Sequence, residues 1–504
     1  MRQTTTIDTK TIGDSPGVKP LQLNSQHVFD FAEQSELPAQ RGLQTALYVV
    51  FGILLLLVAV LSVFTSPLLP VALVVALMVA VSGIIYAPFA LFLIFMGAGL
   101  PTLLLSIPGH TMRPIEPAIF LCLLIVLVRR PFFRLRLPHR LALLFLVFTL
   151  ISFIHVPDIS TSVDTYGADK RLFGVLLACL AFFCGTALIG YVKNISAFLV
   201  AVLLSNIPVY LIALAQAIHL HVPTLWQAPG AQDPKLSDGR LWGPYPGAAT
   251  FGLYLTNLFA VALACWILGN SRRDRVIGAI MTGATLLILL GTGTRSATTA
   301  AVVLLLFTLV LTRRYKLLVG LTVLSCIVAG VFFDKILAKF AHPLASTTNR
   351  LFLWGEALKL IRANPWVGIG MEQFHVYYER LIISQADRLN SHGISVHNQY
   401  LELAMESGIL HLIVTVSLLL SILACCWFAY RSARQEQRVL FLAAILAVLA
   451  TMMVGLLDVP LDKAEETVFL FLLTGLAVGY AQRIRREKKA RETGSCAHLS
   501  SRPQ

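Results

Sequence analysis

Long apolar runs dominate this chain and decide what it can become. Stretches able to cross a ~30 Å hydrocarbon layer at 1.5 Å per residue recur near residues 44–64, 67–86, 87–106, 115–129, 141–157, 172–192, 197–219, 248–269, 276–291, 297–312, 316–333, 409–430, 439–457 and 466–482. Lipid admits only structures that satisfy their own backbone polar groups, which means helices or closed barrels. The runs are continuous, so helices follow. The sequence predicts an all-α, polytopic integral membrane protein of about 14 spans. The uncharged Ala87-Pro88 junction and the short fourth run leave the count open between 12 and 14. Composition excludes the alternative of a soluble globule. With 57% hydrophobic and 13% charged residues and a mean hydropathy of +0.77, the chain carries about half the charge of a soluble protein.

Orientation comes from the basic connections, because Lys and Arg are retained on the cytoplasmic side. Arg129, Arg130, Arg134, Arg136 and Arg140 share one connection, Arg272, Arg273 and Arg275 the next, then Arg313, Arg314 and Lys316, then Arg431, Arg434 and Arg438. The tail from Arg483 to Arg491 completes the set. All five fall on one side if the spans alternate, which predicts both termini inside and the long polar segment outside. The net charge of +14 thus reads as a topology signal and an attraction to anionic lipid, not as a nucleic-acid surface.

Five regions follow: a disordered cytoplasmic tail at 1–42, eleven helices within 43–333, a large helical periplasmic loop at 334–408, three helices within 409–482 and a basic cytoplasmic tail at 483–504. Seven of the eight cysteines lie inside apolar runs and Cys496 in the inner tail, so neither a disulfide framework nor a thiolate metal site is expected. His342, His375 and His392 lack the spacing of a zinc motif.

Arginines on the outer side run against the retention rule and ask for a reason. Arg295 sits in the turn Gly291-Thr292-Gly293-Thr294-Arg295-Ser296, where a helix start and a guanidinium together would make a phosphate site. A snorkelling Arg on a chain-reversing turn is the plainer reading. Arg240 lies in Gly239-Arg240-Leu241-Trp242-Gly243-Pro244-Tyr245-Pro246-Gly247, a path its glycines and prolines fix close to the next helix. In the long loop, Arg350 opens an amphipathic helix with Leu351, Trp354, Leu358 and Ile361 on one stripe, ended by Asn364-Pro365. A cation in a first helical turn opposes the dipole, which hints at an anionic partner. His397 precedes Asn398, a fitting N-cap, and Glu402 and Glu406 then share a face. Such a histidine can act as a base near neutral pH, or be an ordinary surface residue.

In order and spacing, Arg240 with its Gly-Pro run, Thr294-Arg295-Ser296, Asn349-Arg350-Leu351-Phe352-Leu353-Trp354, Asn364-Pro365-Trp366-Val367-Gly368-Ile369-Gly370 and His397-Asn398-Gln399-Tyr400-Leu401-Glu402 resemble the O-antigen ligase and polymerase superfamily. Its members are integral-membrane glycosyltransferases that use polyprenyl-diphosphate sugar donors. Pro246-Gly247-Ala248-Ala249-Thr250 departs from the family's Pro-Asn pair at that place. The resemblance implies a GT-C-like fold in the bacterial inner membrane, His397 as the essential histidine, and Arg240 and Arg295 as holders of the donor diphosphate, with Arg350 a further candidate. Asn398, Tyr400 and Glu402 stand as supporting residues. The implied partners are an undecaprenyl-diphosphate-linked glycan donor, a glycan or lipid A core acceptor, membrane lipids and envelope polysaccharide assembly proteins, with no metal or other cofactor.

Chemistry is consistent with this expectation. The cytoplasmic connections are too short for a nucleotide-sugar domain, so the donor would arrive ready-made in the lipid. Arginines would stabilise the departing diphosphate and a histidine would take the acceptor proton. The competing class is a polysaccharide flippase or other multi-helix transporter, which would show related halves and ionisable residues at mid-membrane depth. A structural scaffold is the third.

Overall fold

The computed structural model describes residues 81–101, 105–155, 166–220, 240–320, 344–381 and 395–500, apart from 84, 108, 109 and 132. The expected tail at 1–42, the span at 44–64, most of those at 67–86 and 316–333, and loop residues 334–343 and 382–394 lie outside the described residues. In chain order the helices are α1 Ala87–Gly99, α2 Ile115–Arg129, α3 Leu137–Ile154, α4 Tyr166–Leu188, α5 Ile195–Ser205, α6 Ile207–Ala217, α7 Ala248–Leu268, α8 Arg272–Thr292 and α9 Arg295–Leu311. Then come α10 Leu344–Ala363, α11 Gln373–Leu381, α12 Gln399–Ser407, α13 Ile409–Ser432, α14 Arg438–Val454 and α15 Ala464–Ser500. Among the described residues eight helical segments are long and apolar enough to cross a membrane, and α1 and α9 are shorter apolar helices.

Two expected spans differ from the structure. The run at 87–106 is helical only to Gly99, and a hairpin of β1 Leu105–Ile107 against β2 His110–Met112 follows. Pro101 explains the stop, since it has no N–H to continue the ladder and disfavours helix at the residue before it. The run at 197–219 breaks at Asn206 into α5 and α6. Pro208 removes an N–H there, and the buried Asn206 fills the gap: its Nδ2 donates to Val202 O at 2.8 Å and its Oδ1 accepts from Tyr254 Oη at 2.5 Å.

The helices sort by burial. In α7, 89% of the apolar window is covered by protein, against 33% in α3, α8 and α13. The outer helices therefore turn apolar faces away from the core, with Ile280, Leu287 and Leu420 exposed, as lipid contact requires.

Both ends of the bundle have a distinct chemistry. Gln482 of α15 exchanges hydrogen bonds with the Arg134 backbone before α3, and Arg314 after α9 donates to Ile267 O at the end of α7. The basic connections around 130–136, 270–275, 313–314 and 433–437 thus gather at one end, as alternation of the spans predicts. At the other end Leu253 of α7, Ala300 of α9 and Val454 of α14 form one small cluster. That end carries the 240–247 loop, the 293–294 turn and the 455–463 connection.

A separate core of Leu353, Ala357, Leu360, Phe374, Val396 and Met405 builds the long-loop module. The expected stripe on α10 is off by part of a turn: Trp354 and Ile361 pack inward, but Leu351 and Leu358 are 60% and 44% exposed. The indole decides the rotation, because its N–H needs a partner and donates to Val396 O at 3.0 Å.

Candidate active site

The Arg240 loop and the Arg295 turn are brought together. Leu241 N donates to Gly291 O at 3.0 Å, and Arg240 Nε donates to Thr292 O at 2.7 Å, with Nη2 3.5 Å from Thr294 Oγ1. The last carbonyls of a helix lack intrahelical partners and favour a cation, so Arg240 closes the end of α8. Gly293 sits at φ +64, a conformation that suits glycine, and a side chain there would press on the Arg240 side chain. The link between α8 and α9 is only Gly293 and Thr294, tighter than the sequence suggests, and Arg295 is the first residue of α9. Arg295 is exposed and makes no ion pair or side-chain hydrogen bond among the described residues.

Gln216, which the sequence reading did not single out, fixes the Arg240 loop. It is buried at the end of α6; its Oε1 accepts from Trp242 N (3.2 Å) and Gly243 N (2.8 Å), and its Nε2 donates to Gly243 O (2.9 Å). Tyr245 Oη donates to Ala98 O at 2.6 Å and anchors the far side of the loop.

His397 stands at the start of α12 in a left-handed backbone conformation, φ +52, which costs a non-glycine residue energy and persists only where surroundings impose it. Those surroundings are explicit. His397 N donates to Ser395 Oγ; Asn398 Oδ1 caps the helix by accepting from Tyr400 N and Leu401 N, both at 3.0 Å, and its Nδ2 donates to Leu456 O. Gln399 N bonds the backbone at Gly455 and Asp458, and Tyr400 Oη donates to Met452 O at 2.7 Å. The His397 side chain, 44% exposed, has Nδ1 4.0 Å from Asp458 Oδ1. Arg350 does not open its helix as expected, since α10 begins at Leu344; it lies one helical turn before Trp354, whose indole holds the carbonyl of Val396, and its side chain makes no ion pair or hydrogen bond among the described residues.

The Pro365–Gly370 turn closes the other end of α12. Ile369 N and Gly370 N donate to Met405 O and Glu406 O, and Ile409 N donates to Pro365 O. Gly368 and Gly408, both at positive φ, lie so close to Glu406 and Trp366 backbone that a Cβ at either would collide.

Beneath this helix is a buried cluster that sequence reasoning missed. Arg171 Nη1 donates to Glu406 Oε2 at 2.5 Å and Glu372 Oε1 at 3.4 Å. Its Nη2 is 3.3 Å from Glu402 Oε1, and its Nε is 2.5 Å from Asp462 Oδ1. Lys463 pairs with Asp462 at 3.2 Å. Burial pushes Glu402 up to about 7 and Glu406 well above the ordinary carboxylate range, with Arg171 opposing it only in part. For Asp462, Arg171 and Lys463 outweigh burial and hold the carboxyl low. Arg171, Glu465 and Glu466 are buried charged residues at helix ends that fold inward. Arg171 and Arg113, which pairs with Glu465, both sit at the end away from the basic connections. The rule that singled out Arg240 and Arg295 would have flagged them.

The fold defines a polytopic helical membrane protein with a gathering of polar and charged residues at the end away from its basic connections. Residues 278–416 match the family model described as O-Antigen ligase. That match supports the superfamily resemblance read from the motifs, and the family it points to implies a membrane enzyme that joins glycans. It takes in Arg295, Arg350, His397, Asn398, Tyr400 and Glu402, whereas Arg171, Arg240 and Asp458 lie outside it. Comparison with curated proteins gives no match.

Proposed function

We propose that this protein is a polysaccharide ligase or polymerase of the bacterial inner membrane, transferring a glycan from an undecaprenyl-diphosphate carrier to an acceptor hydroxyl at the periplasmic face. The reading rests on one observation above all: Arg240, from its own loop, reaches the turn at Thr294 that leads into Arg295, at the end of the bundle that also holds His397 and Asp458. That end lies opposite the basic connections, so retention of positive charge would put it outside.

In the reaction the acceptor O–H attacks the anomeric carbon while the bond from that carbon to the diphosphate oxygen breaks. The diphosphate leaves with the bonding electron pair, and Arg240 and Arg295 stabilise the charge it gains. His397 takes the acceptor proton, a role worth on the order of 10²–10⁴ in rate. Asp458, across 4.0 Å, favours the imidazolium that results. Attack opposite the leaving group inverts the anomeric centre. Arg350, one helical turn before the Trp354 that bonds Val396, would serve an anionic part of either substrate.

Purified protein supplied with a lipid-diphosphate glycan and its acceptor tests the scheme. Arg295→Ala is expected to abolish transfer with the fold intact, and Arg295→Lys to restore it only in part, because an ammonium makes no bidentate contact. His397→Ala is expected to lower kcat with little change in donor binding, and the wild type to keep its activity in chelator. Normal turnover by either Ala variant, or loss in chelator reversed by Mg²⁺, refutes the proposal. A flippase would move the lipid-linked glycan across vesicles without forming product.

A further inference from the structure

Arg171 belongs to α4, yet its guanidinium contacts carboxylates from three other stretches of chain. Glu372 follows the Pro365–Gly370 turn, Glu402 and Glu406 are on α12, and Asp462 is in the connection between α14 and α15. Every guanidinium nitrogen is engaged, and the side chain is 9% exposed. Gly167, one turn earlier on α4, lies beside the Glu372 side chain. Glu372 itself has φ +58, a second strained position beside the one at His397. Ser152 reinforces the joint from α3, accepting from Met371 N and donating to Glu406 O.

We propose that Arg171 is a positioning residue: it clips α12 to the membrane bundle and so sets the place of His397, without touching substrate. This rests on His397 being the base of the proposed reaction. Physical accounting favours Arg over any other residue here. Four carboxylates converge from three segments, and a planar guanidinium with five N–H donors can serve all of them at once, whereas a point-like ammonium cannot. Four carboxyl groups meet two cations in the cluster, Arg171 and Lys463. The charged and titratable groups that face Arg171 are Glu372, Glu402, Glu406 and Asp462, with Lys463 on Asp462 and His411 of α13 within its field. Removing the arginine leaves buried carboxylates whose mutual repulsion is relieved by protonation, so the defect is expected to be pH-dependent and to fade in acid.

The test uses the full-length protein in lipid nanodiscs with Arg171→Gln, Arg171→Lys and the double variant Arg171→Gln/Glu406→Gln. Hydrogen exchange followed by mass spectrometry needs no substrate, so it reads the clip even if the proposed reaction is wrong. The expected result for Arg171→Gln at pH 7.5 is at least tenfold faster exchange over residues 398–407, with residues 250–268 unchanged. Protection is expected to return at pH 5.5, after correction for intrinsic exchange, and in part in the Lys and double variants. In the transfer assay kcat is expected to fall at least tenfold and donor KM to stay within about twofold, because Arg240 and Arg295 sit on a different turn. Unchanged protection of 398–407 overturns the proposal. So does loss of protection throughout the bundle in all three variants, which would make Arg171 a general prop for the fold, and so does a rise in donor KM that equals the fall in kcat. A wild type that transfers no glycan but shows the exchange pattern would count against the proposed function alone.

Discussion

Replacing Gln216 by Met keeps the volume of the side chain and removes its amide. Three buried backbone groups then lose their partner: the N–H of Trp242, and both the N–H and the carbonyl of Gly243. Each unsatisfied buried group costs about 1–3 kcal/mol, so the closed loop would bear about 3–9 kcal/mol if nothing moved. The loop is held elsewhere by Leu241 N on Gly291 O, Arg240 on Thr292 O and Tyr245 on Ala98 O. Opening of the Trp242–Gly243 segment therefore relieves the cost before the fold is lost. An effective penalty of about 3 kcal/mol corresponds to roughly a hundredfold larger open population. Hydrogen exchange over 241–247 reads that population directly, with 257–268 as an internal control, and the proposed donor role of Arg240 adds a rise in donor KM. Exchange within threefold of wild type would refute the claim that Gln216 holds the loop.

Glu402 links stability to pH. Its folded pKa is raised from 4.5 to about 7 by burial, so the stabilisation it brings is complete below 4.5 and is lost as pH rises through 7, at no more than about 1.4 kcal/mol per pH unit. Thermal denaturation in detergent should give a higher midpoint at pH 5 than at pH 8, and Glu402→Gln should flatten that slope; an unchanged slope would count against the assignment. Gly408→Ala sets a Cβ against Trp366 O at a positive φ and is expected to cost about 3 kcal/mol or more, seen as loss of protection over 398–407. Asp458→Asn keeps the shape of the site and removes the carboxylate beside His397, so kcat is expected to fall with donor KM unaltered; an unchanged kcat would exclude the pairing.

How much of this was legible beforehand differs by scale. Membrane crossing, the gathering of basic connections at one end and the cap at Asn398 follow from hydropathy, charge and one residue type, all of which act locally along the chain. The resemblance carried the reading to Arg240, Arg295, Arg350 and His397 because those residues stand in short ordered motifs. Gln216, Arg171 and Asp458 had no such signal. Each acts on a partner distant in sequence, and an isolated Gln, Arg or Asp at a helix end looks the same whether it faces water or another helix. The rotation of α10 escaped for a related reason, since one indole N–H finding Val396 O chose between adjacent apolar stripes. By itself the sequence determined that the chain is a polytopic, helical membrane protein whose basic connections gather at one end, because the solvent imposes those choices residue by residue. Only the tertiary structure decided which carboxylates share Arg171, how His397 is aimed and that Arg240 meets the Arg295 turn, because these depend on close packing between helices that the order of residues along the chain does not encode in any one place.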